Sequence, residues 1–230
     1  MKKRRIAALG GGGFEDGEMM PVFKRIVEMA EKAAPKVLSL PTAGHDNIGG
    51  EATLEAIFKG LGCSEFRTIT LTNTELSREE IHDAIVGSDI VFAGGGNLAF
   101  LMEVWNSSGA SDALREAFEK GVVLSGVSSG AMCWFDEGYD DCGEQNAFEF
   151  VDCLGLLPYC NCPHFENQYW QSFIEAVKTR SRSGLACENG AALIYCDGKY
   201  EVAAGTKGGA VWLLDADRNF QMSRVENGSL

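Results

Sequence analysis

A serine lies at the centre of residues 126–130, which read Gly-Val-Ser-Ser-Gly. The apolar run that ends at Leu124 is typical of a strand, and the residues after position 130 favour a helix. A G-x-S-x-G segment between a strand and a helix predicts a nucleophile elbow, a turn so tight that its flanking positions must be glycine. The serine would then lie at a helix N-terminus, where backbone N–H groups favour developing negative charge. We therefore expect Ser128 to act as a nucleophile.

A serine hydroxyl becomes a good nucleophile when a base takes its proton, and that base is usually a histidine oriented by a third group. The chain has three histidines. His82 lies in a predicted helix and is interpreted as a solvated surface residue. His45 follows a strand, at the edge where open α/β sheets bind ligands, and an ordinary surface loop residue is the alternative. His164 comes after the serine in the chain, as the elbow order requires, and is the predicted base, with a structural histidine beside cysteines as the alternative.

A glycine cluster, residues 94–96, follows the fourth predicted strand and precedes Asn97. Backbone amides without side chains can point at an oxyanion from a neighbouring strand end. The alternative is a phosphate-binding loop, which is disfavoured because the chain has no G-x-G-x-x-G or G-K-[ST] pattern. The earlier glycines at 10–13 are interpreted as a strand-to-helix turn at the same edge.

Three ordered motifs, at residues 94–97, 126–131 and 163–165, together with Pro-Thr-Ala at 41–43, resemble the aspartyl dipeptidase (dipeptidase E) family of serine peptidases. Cyanophycinase is a more distant relative. The resemblance implies a fold similar to class I glutamine amidotransferases. It also implies that Ser128 is the nucleophile and His164 the base, and that the amides of Gly96 and Ser129 form the oxyanion hole.

The function that follows is a serine peptidase that cleaves short peptides through an acyl-enzyme and needs no cofactor. Two alternatives remain open. One is an esterase or non-peptide amidase, because the same groups cleave both kinds of bond. The other is a catalytically silent binding domain with the amidotransferase-like fold.

The third member of the triad is expected between the serine and the histidine, because the resembling family carries its acid there. Asp140, Asp141 and Glu144 are the candidates. Asp141 lies closest to the family's acidic position after the elbow and is the predicted acid. The alternative is that this acidic stretch is a solvated loop.

The same stretch bears on specificity, since it contains no lysine or arginine and seven carboxylates. These are Asp136, Glu137, Asp140, Asp141, Glu144, Glu149 and Asp152. A substrate carboxylate brought among them would be repelled. We therefore expect neutral or basic substrates to be preferred over aspartyl ones, unless Lys178, Arg180 or Arg182 reaches the site.

Short apolar strands alternate with helices through the first half of the chain, which predicts an α/β fold with a doubly wound, mostly parallel sheet. The second half predicts antiparallel strands near the C-terminus, with a hairpin at Asp197-Gly198. One domain over residues 1–230 is expected. The predicted strands cover 6–9, 37–40, 66–71, 89–93, 191–195, 200–203 and 210–214, and the predicted helices include 51–60, 98–105, 111–120 and 166–180.

The formal net charge of −13 argues against nucleic-acid binding, because phosphate would be repelled. No run resembles a signal peptide or a membrane span, so a cytoplasmic protein without membrane partners is expected, and a homo-oligomer is compatible with the sequence. The eight cysteines lie mostly in apolar runs and are interpreted as reduced and structural. Cys160, Cys162 and His164 form a weak metal-ligand pattern, and no metal is predicted.

Overall fold

The computed structural model describes residues 2–145, 147–180, 182–216, 220–228 and 230, and it has the predicted α/β architecture. The first sheet has seven strands in the order β11-β10-β1-β5-β4-β2-β3. Five neighbouring strands are parallel, and β10 and β11 join antiparallel at one edge. Its strands are β1 (Arg5–Leu9), β2 (Lys36–Leu40), β3 (Glu65–Thr68), β4 (Ile90–Ala93), β5 (Val123–Val127), β10 (Ala191–Cys196) and β11 (Lys199–Ala204).

Helices cover both faces of this sheet, which is why its central strands are continuous apolar runs rather than alternating ones. Along β1, Ala7 and Leu9 pack with the first two helices, and Ile6 and Ala8 face the opposite core. The helices are α1 (Met20–Met29), α2 (Glu51–Gly60), α3 (Arg78–Val86), α4 (Leu98–Ser108), α5 (Ala110–Glu119), α6 (Ser129–Met132) and α7 (Phe173–Lys178).

A second, six-stranded mixed sheet has the order β13-β12-β9-β8-β6-β7. Strands β6, β8 and β9 run parallel, and β7, β12 and β13 pair antiparallel. Its strands are β6 (Phe135–Asp140), β7 (Glu149–Asp152), β8 (Leu157–Cys162), β9 (Gly184–Cys187), β12 (Val211–Asp215) and β13 (Gln221–Arg224).

The second half of the chain differs in two places from what the sequence predicts. The acidic stretch, for which a solvated loop is the alternative interpretation, contains β6, β7 and β8, and the helix expected over 166–180 is instead a 3-10 turn and the short α7. Charged residues within β6 obscured its strand character. Their partners come from another segment of the chain, as described below.

Several local predictions are confirmed. The Ser-x-x-Glu spacing of Ser77 and Glu80 predicts a capping box, and both of its hydrogen bonds form at the start of α3. Asp197 and Gly198 both have positive φ, as a two-residue hairpin turn requires, and they join β10 to β11. In the described residues, every helix is too short or too polar to span a bilayer.

Candidate active site

The predicted elbow forms between β5 and α6, with Ser128 as the residue that joins them. Ser128 has φ 55° and ψ −122°, a conformation that residues other than glycine rarely adopt. A Cβ at Gly126 would collide with the carbonyl of Gly130, and one at Gly130 would collide with the carbonyl of Ala93. The turn therefore depends on both glycines, and it presents the serine side chain at the carboxyl edge of the first sheet.

His164 approaches this serine from the second sheet, two residues after β8 ends. Its Nε2 lies 3.1 Å from Ser128 Oγ, within hydrogen-bond distance. Its backbone N–H donates to the carbonyl of Gly10 at 3.0 Å, which attaches the histidine loop to the loop that follows β1. The Ser–His pair expected from the sequence is thus brought together across the two sheets.

The other ring nitrogen of His164 is bound by Asn189, which follows β9. His164 Nδ1 lies 2.7 Å from Asn189 Oδ1. An amide oxygen can only accept a hydrogen bond, so this contact puts the ring proton on Nδ1. In this Nδ1–H tautomer the lone pair of Nε2 faces the serine hydroxyl. A general base needs that tautomer.

The predicted acid, Asp141, does not occupy this position. Its carboxylate accepts from the Tyr169 hydroxyl at 2.6 Å and from the Gly143 amide at 3.0 Å. The alternative acids are also elsewhere: Asp140 accepts from the Leu98 amide at 2.9 Å, and Glu144 is an exposed loop residue. The loop after β9 reaches the histidine instead, because β8 and β9 are parallel neighbours and the loops that follow them lie at the same edge of the sheet.

Sequence reasoning missed Asn189 for two reasons. It lies after the histidine rather than before it, and an uncharged amide gives no acid signal. The one available signal was its place in Glu-Asn-Gly, just after the apolar run that forms β9. Had that run been predicted as a strand parallel to β8, its following loop would have been expected at the same edge.

Gly11 is a second residue whose role the sequence did not reveal. Its φ of +143° disfavours any side chain, and a Cβ built there would lie 2.6 Å from Nδ1 and Cε1 of His164. It would lie closer still to Asn189 Oδ1. The backbone of Gly11 also accepts a hydrogen bond from the Gly190 amide at 3.0 Å. The opening glycine loop is therefore more than a turn, since it packs directly against the His–Asn pair.

The predicted oxyanion donors, the amides of Gly96 and Ser129, belong to two loops that are hydrogen-bonded to each other. The hydroxyl of Ser129 donates to the carbonyl of Gly96 at 2.7 Å. Asn97 fixes the same loop, because its amide donates to Ala43 and its side chain caps α4. As the first residue of α6, Ser129 has no earlier helical carbonyl for its amide, which leaves that donor available.

The other two histidines have other partners. The ring of His45 packs against that of Phe100, tilted by 39° with 4.0 Å between centroids. His82 contacts Glu116 and Asp83 on the surface, and these hydrogen bonds raise the pKa of its imidazole.

Both nitrogens of His164 are engaged as described, which leaves the Cys-x-Cys pattern without its third ligand. The thiols of Cys160 and Cys162 donate to backbone carbonyls. Burial raises the pKa of the Cys160 thiol to about 12. In the ranges the structure describes, no three His, Cys, Asp or Glu side chains cluster as a metal site would require.

Arginines from a later segment neutralise part of the negative charge of the acidic stretch. Glu137 pairs with Arg180 at 3.2 Å and with Arg182 at 3.3 Å, and Asp136 pairs with Arg182 at 3.2 Å. Lys178 pairs with Glu175. Lys178, Arg180 and Arg182, which were considered as partners for a substrate carboxylate, therefore each pair with a carboxylate of the protein.

Asp140 is the buried exception among these acids. It is 3% exposed, and burial raises the pKa of its carboxyl to about 6, although the Leu98 amide opposes this rise. Its hydrogen bond to that amide places it at the first turn of α4, directly after the loop that carries Gly96.

The protein is thus an α/β protein whose parallel sheet edge carries a serine on a strained elbow, with a histidine within hydrogen-bond distance. The chain belongs to peptidase family S51, whose model matches residues 6–203. It is 28% identical over 211 residues to the uncharacterized peptidase YgaJ of Bacillus subtilis (strain 168), with 90% of each chain covered.

Solved structures share the fold. A peptidase from an acI-B1 Actinobacterium superposes with a TM-score of 0.73 at 15% identity, over 98% of this chain and 96% of that one. A protein from Listeria monocytogenes EGD-e, provisionally named Peptidase E, has a TM-score of 0.67 at 17% identity, over 88% of this chain and 98% of its own. The chain is therefore a peptidase by family, as its motifs predicted.

Proposed function

We propose that this protein is a serine peptidase that cleaves short peptides, of the dipeptidase E kind, through an acyl-enzyme. The observation that carries the proposal is the 3.1 Å contact between Ser128 Oγ and His164 Nε2, made by a serine held in the strained elbow conformation. Membership of family S51 supports peptide bonds as the target.

In the proposed mechanism His164 Nε2 takes the hydroxyl proton while Ser128 Oγ attacks the carbonyl carbon of the scissile bond. The carbonyl π electrons move to oxygen, and the amides of Gly96 and Ser129 stabilise that oxyanion. The tetrahedral intermediate collapses and expels the amine, which takes the proton from His164. Water then repeats the same steps on the ester and releases the acid.

Asn189 takes the third position in this proposal. Its amide oxygen accepts the Nδ1 proton and holds the ring toward the serine. A Ser–His–Asn arrangement keeps the orienting role of the usual acid without its charge, as the Cys–His–Asn set of papain-like proteases does.

Labelling with a fluorophosphonate, followed by peptide mapping, tests the assignment. Ser128 is expected to be the modified residue, and Ser128→Ala is expected to lose labelling and to reduce peptide hydrolysis by several orders of magnitude. Ser125→Ala is the matched control, because that buried hydroxyl donates to the Val91 carbonyl, away from the elbow. Labelling at Ser129, or hydrolysis retained in Ser128→Ala, would sink the proposal.

A dipeptide library then tests the substrate class. Release of free amino acids from dipeptides supports the proposed activity. Hydrolysis of esters or simple amides without any dipeptide would favour the broader hydrolase reading. A protein that neither labels nor hydrolyses would be a silent member of the fold.

A further inference from the structure

We infer that Glu166 is a positioning residue for His164 that acts through Asn189, an inference that rests on the proposed function. Both oxygens of the Glu166 carboxylate bind Asn189. Oε2 accepts from the Asn189 backbone N–H at 2.8 Å, and Oε1 accepts from its side-chain Nδ2 at 2.5 Å. The bidentate contact fixes both the loop and the rotation of the amide.

The rotation matters because an amide has two different ends. A carboxylate can only accept hydrogen bonds, so the NH2 end of Asn189 must face Glu166 and the oxygen end must face His164. Were the amide turned over, its NH2 would face Nδ1, which would then have to accept. The ring proton would move to Nε2, and the base could no longer take a proton from Ser128. Glu166 therefore selects the working tautomer of His164.

The chain keeps the base and this carboxylate together in one turn. Glu166 lies two residues after His164, and the Asn167 amide closes the turn by donating to the His164 carbonyl at 2.9 Å. The Phe165 amide donates to the Cys187 carbonyl at 3.1 Å, at the end of β9. The turn is thus attached to the strand that leads into Asn189, and all three polar groups are set by the same contacts.

A neighbouring carboxylate provides the comparison that the inference needs. Glu188 precedes Asn189 in the chain, yet its oxygens accept from Trp212 Nε1 at 2.8 Å and from the Ala210 amide at 2.9 Å. It carries the same charge and faces away from the amide. Replacing it by glutamine changes the charge of the same loop by the same amount and leaves the Asn189 contacts in place.

The rate of Ser128 labelling by a fluorophosphonate measures this effect without knowledge of the natural substrate. Glu166→Gln is expected to slow the saturating labelling rate about tenfold, because the amide is no longer held in one orientation, and to leave the half-saturating concentration within twofold. Glu188→Gln is expected to stay within twofold in both.

Asn189→Asp supplies a rescue in the Glu166→Gln background. A carboxylate has two equivalent oxygens, so it accepts the Nδ1 proton in either orientation and also accepts from the Gln side chain at 166. The double variant is expected to recover to within threefold of the wild-type rate. A residue with a merely structural role would not show this recovery.

The tautomer itself is read from the ring ¹⁵N signals of His164, which are independent of activity. The wild type is expected to hold the proton on Nδ1, and Glu166→Gln to show a mixture. The inference is overturned by a wild-type Nε2–H tautomer, by Glu166→Gln labelling at the wild-type rate, or by a double variant no faster than Glu166→Gln. Failure of the wild type to label at all, with the Nδ1–H tautomer present, contradicts the proposed function and leaves the positioning geometry standing.

Discussion

Replacing Gly11 by alanine tests how closely the first glycine loop packs against the proposed base. A Cβ at this position would lie 2.6 Å from Nδ1 and Cε1 of His164, where carbon atoms normally approach to about 3.5 Å. The ring and the amide of Asn189 must therefore move by about 1 Å. A misplacement of that size can cost about 100-fold in rate. We expect Gly11→Ala to lose about that factor in the labelling rate of Ser128 and in kcat.

The control for this experiment is Gly62→Ala. Gly62 also has a positive φ, +94°, and a Cβ there would have no atom within 4 Å. In both variants the alanine is strained by its positive φ, at a cost of about 1–3 kcal/mol in folding free energy. This strain should lower the melting temperature of each variant. The contact with His164 distinguishes them, so activity is expected to fall in Gly11→Ala alone.

Labelling and hydrolysis are compared at a temperature well below both melting transitions, so that the folded proteins are measured. Gly11→Ala retaining a rate within threefold of the wild type would refute the packing argument. An equal loss in Gly62→Ala would show that strain, rather than contact with the base, causes the effect.

Three further predictions follow from the site. Ser129→Ala keeps the backbone donor but removes the hydroxyl that fixes the Gly96 carbonyl. The kcat is therefore expected to fall about five- to tenfold with little change in KM. An unchanged kcat would contradict the coupling of the two segments. Burial raises the pKa of Asp140 to about 6 in the folded protein, above its ordinary value of 3.8, so the wild type loses up to about 3 kcal/mol of stability as the pH rises through this range. Urea unfolding of Asp140→Asn should lack this loss, and parallel pH profiles for the two proteins would contradict it. Finally, kcat/KM for Asp-Leu is expected to be no greater than for Ala-Leu or Lys-Leu, because the nearby cations pair with protein carboxylates, and a tenfold aspartyl preference, about 1.4 kcal/mol, would overturn that expectation.

The sequence was most informative where local chemistry determines the structure. The elbow follows from glycine spacing, the α3 cap from Ser77 and Glu80, and the hairpin from Asp197-Gly198, and each of these is settled by neighbouring residues. The parallel strands of the first sheet were visible as apolar runs, because burial on both faces requires them.

The sequence was least informative where pairing across the chain decides the outcome. Asp136 and Glu137 of β6 are tolerated because Arg180 and Arg182, more than forty residues later, neutralise them. The orienting partner of His164 likewise depends on β9 lying beside β8, which no local pattern reveals. An amide in that position also carries no charge that would mark it as functional. Asp141, the acid predicted from the resemblance, contacts Tyr169, and Asn189 contacts His164.

The division of the reacting groups between two sheets has a consequence for how the protein would fail. Ser128 follows β5 of the first sheet, whereas His164 follows β8 of the second, and Asn189 lies in the short connection by which the chain passes from β9 to β10. Residues of both sheets pack in one apolar core, so the distance between Ser128 and His164 depends on how the two sheets pack together. A small separation of the two sheets would move His164 away from Ser128 before either sheet unfolded. Activity would then report on the packing of the two sheets. On heating, it would be lost at a lower temperature than the secondary-structure signal.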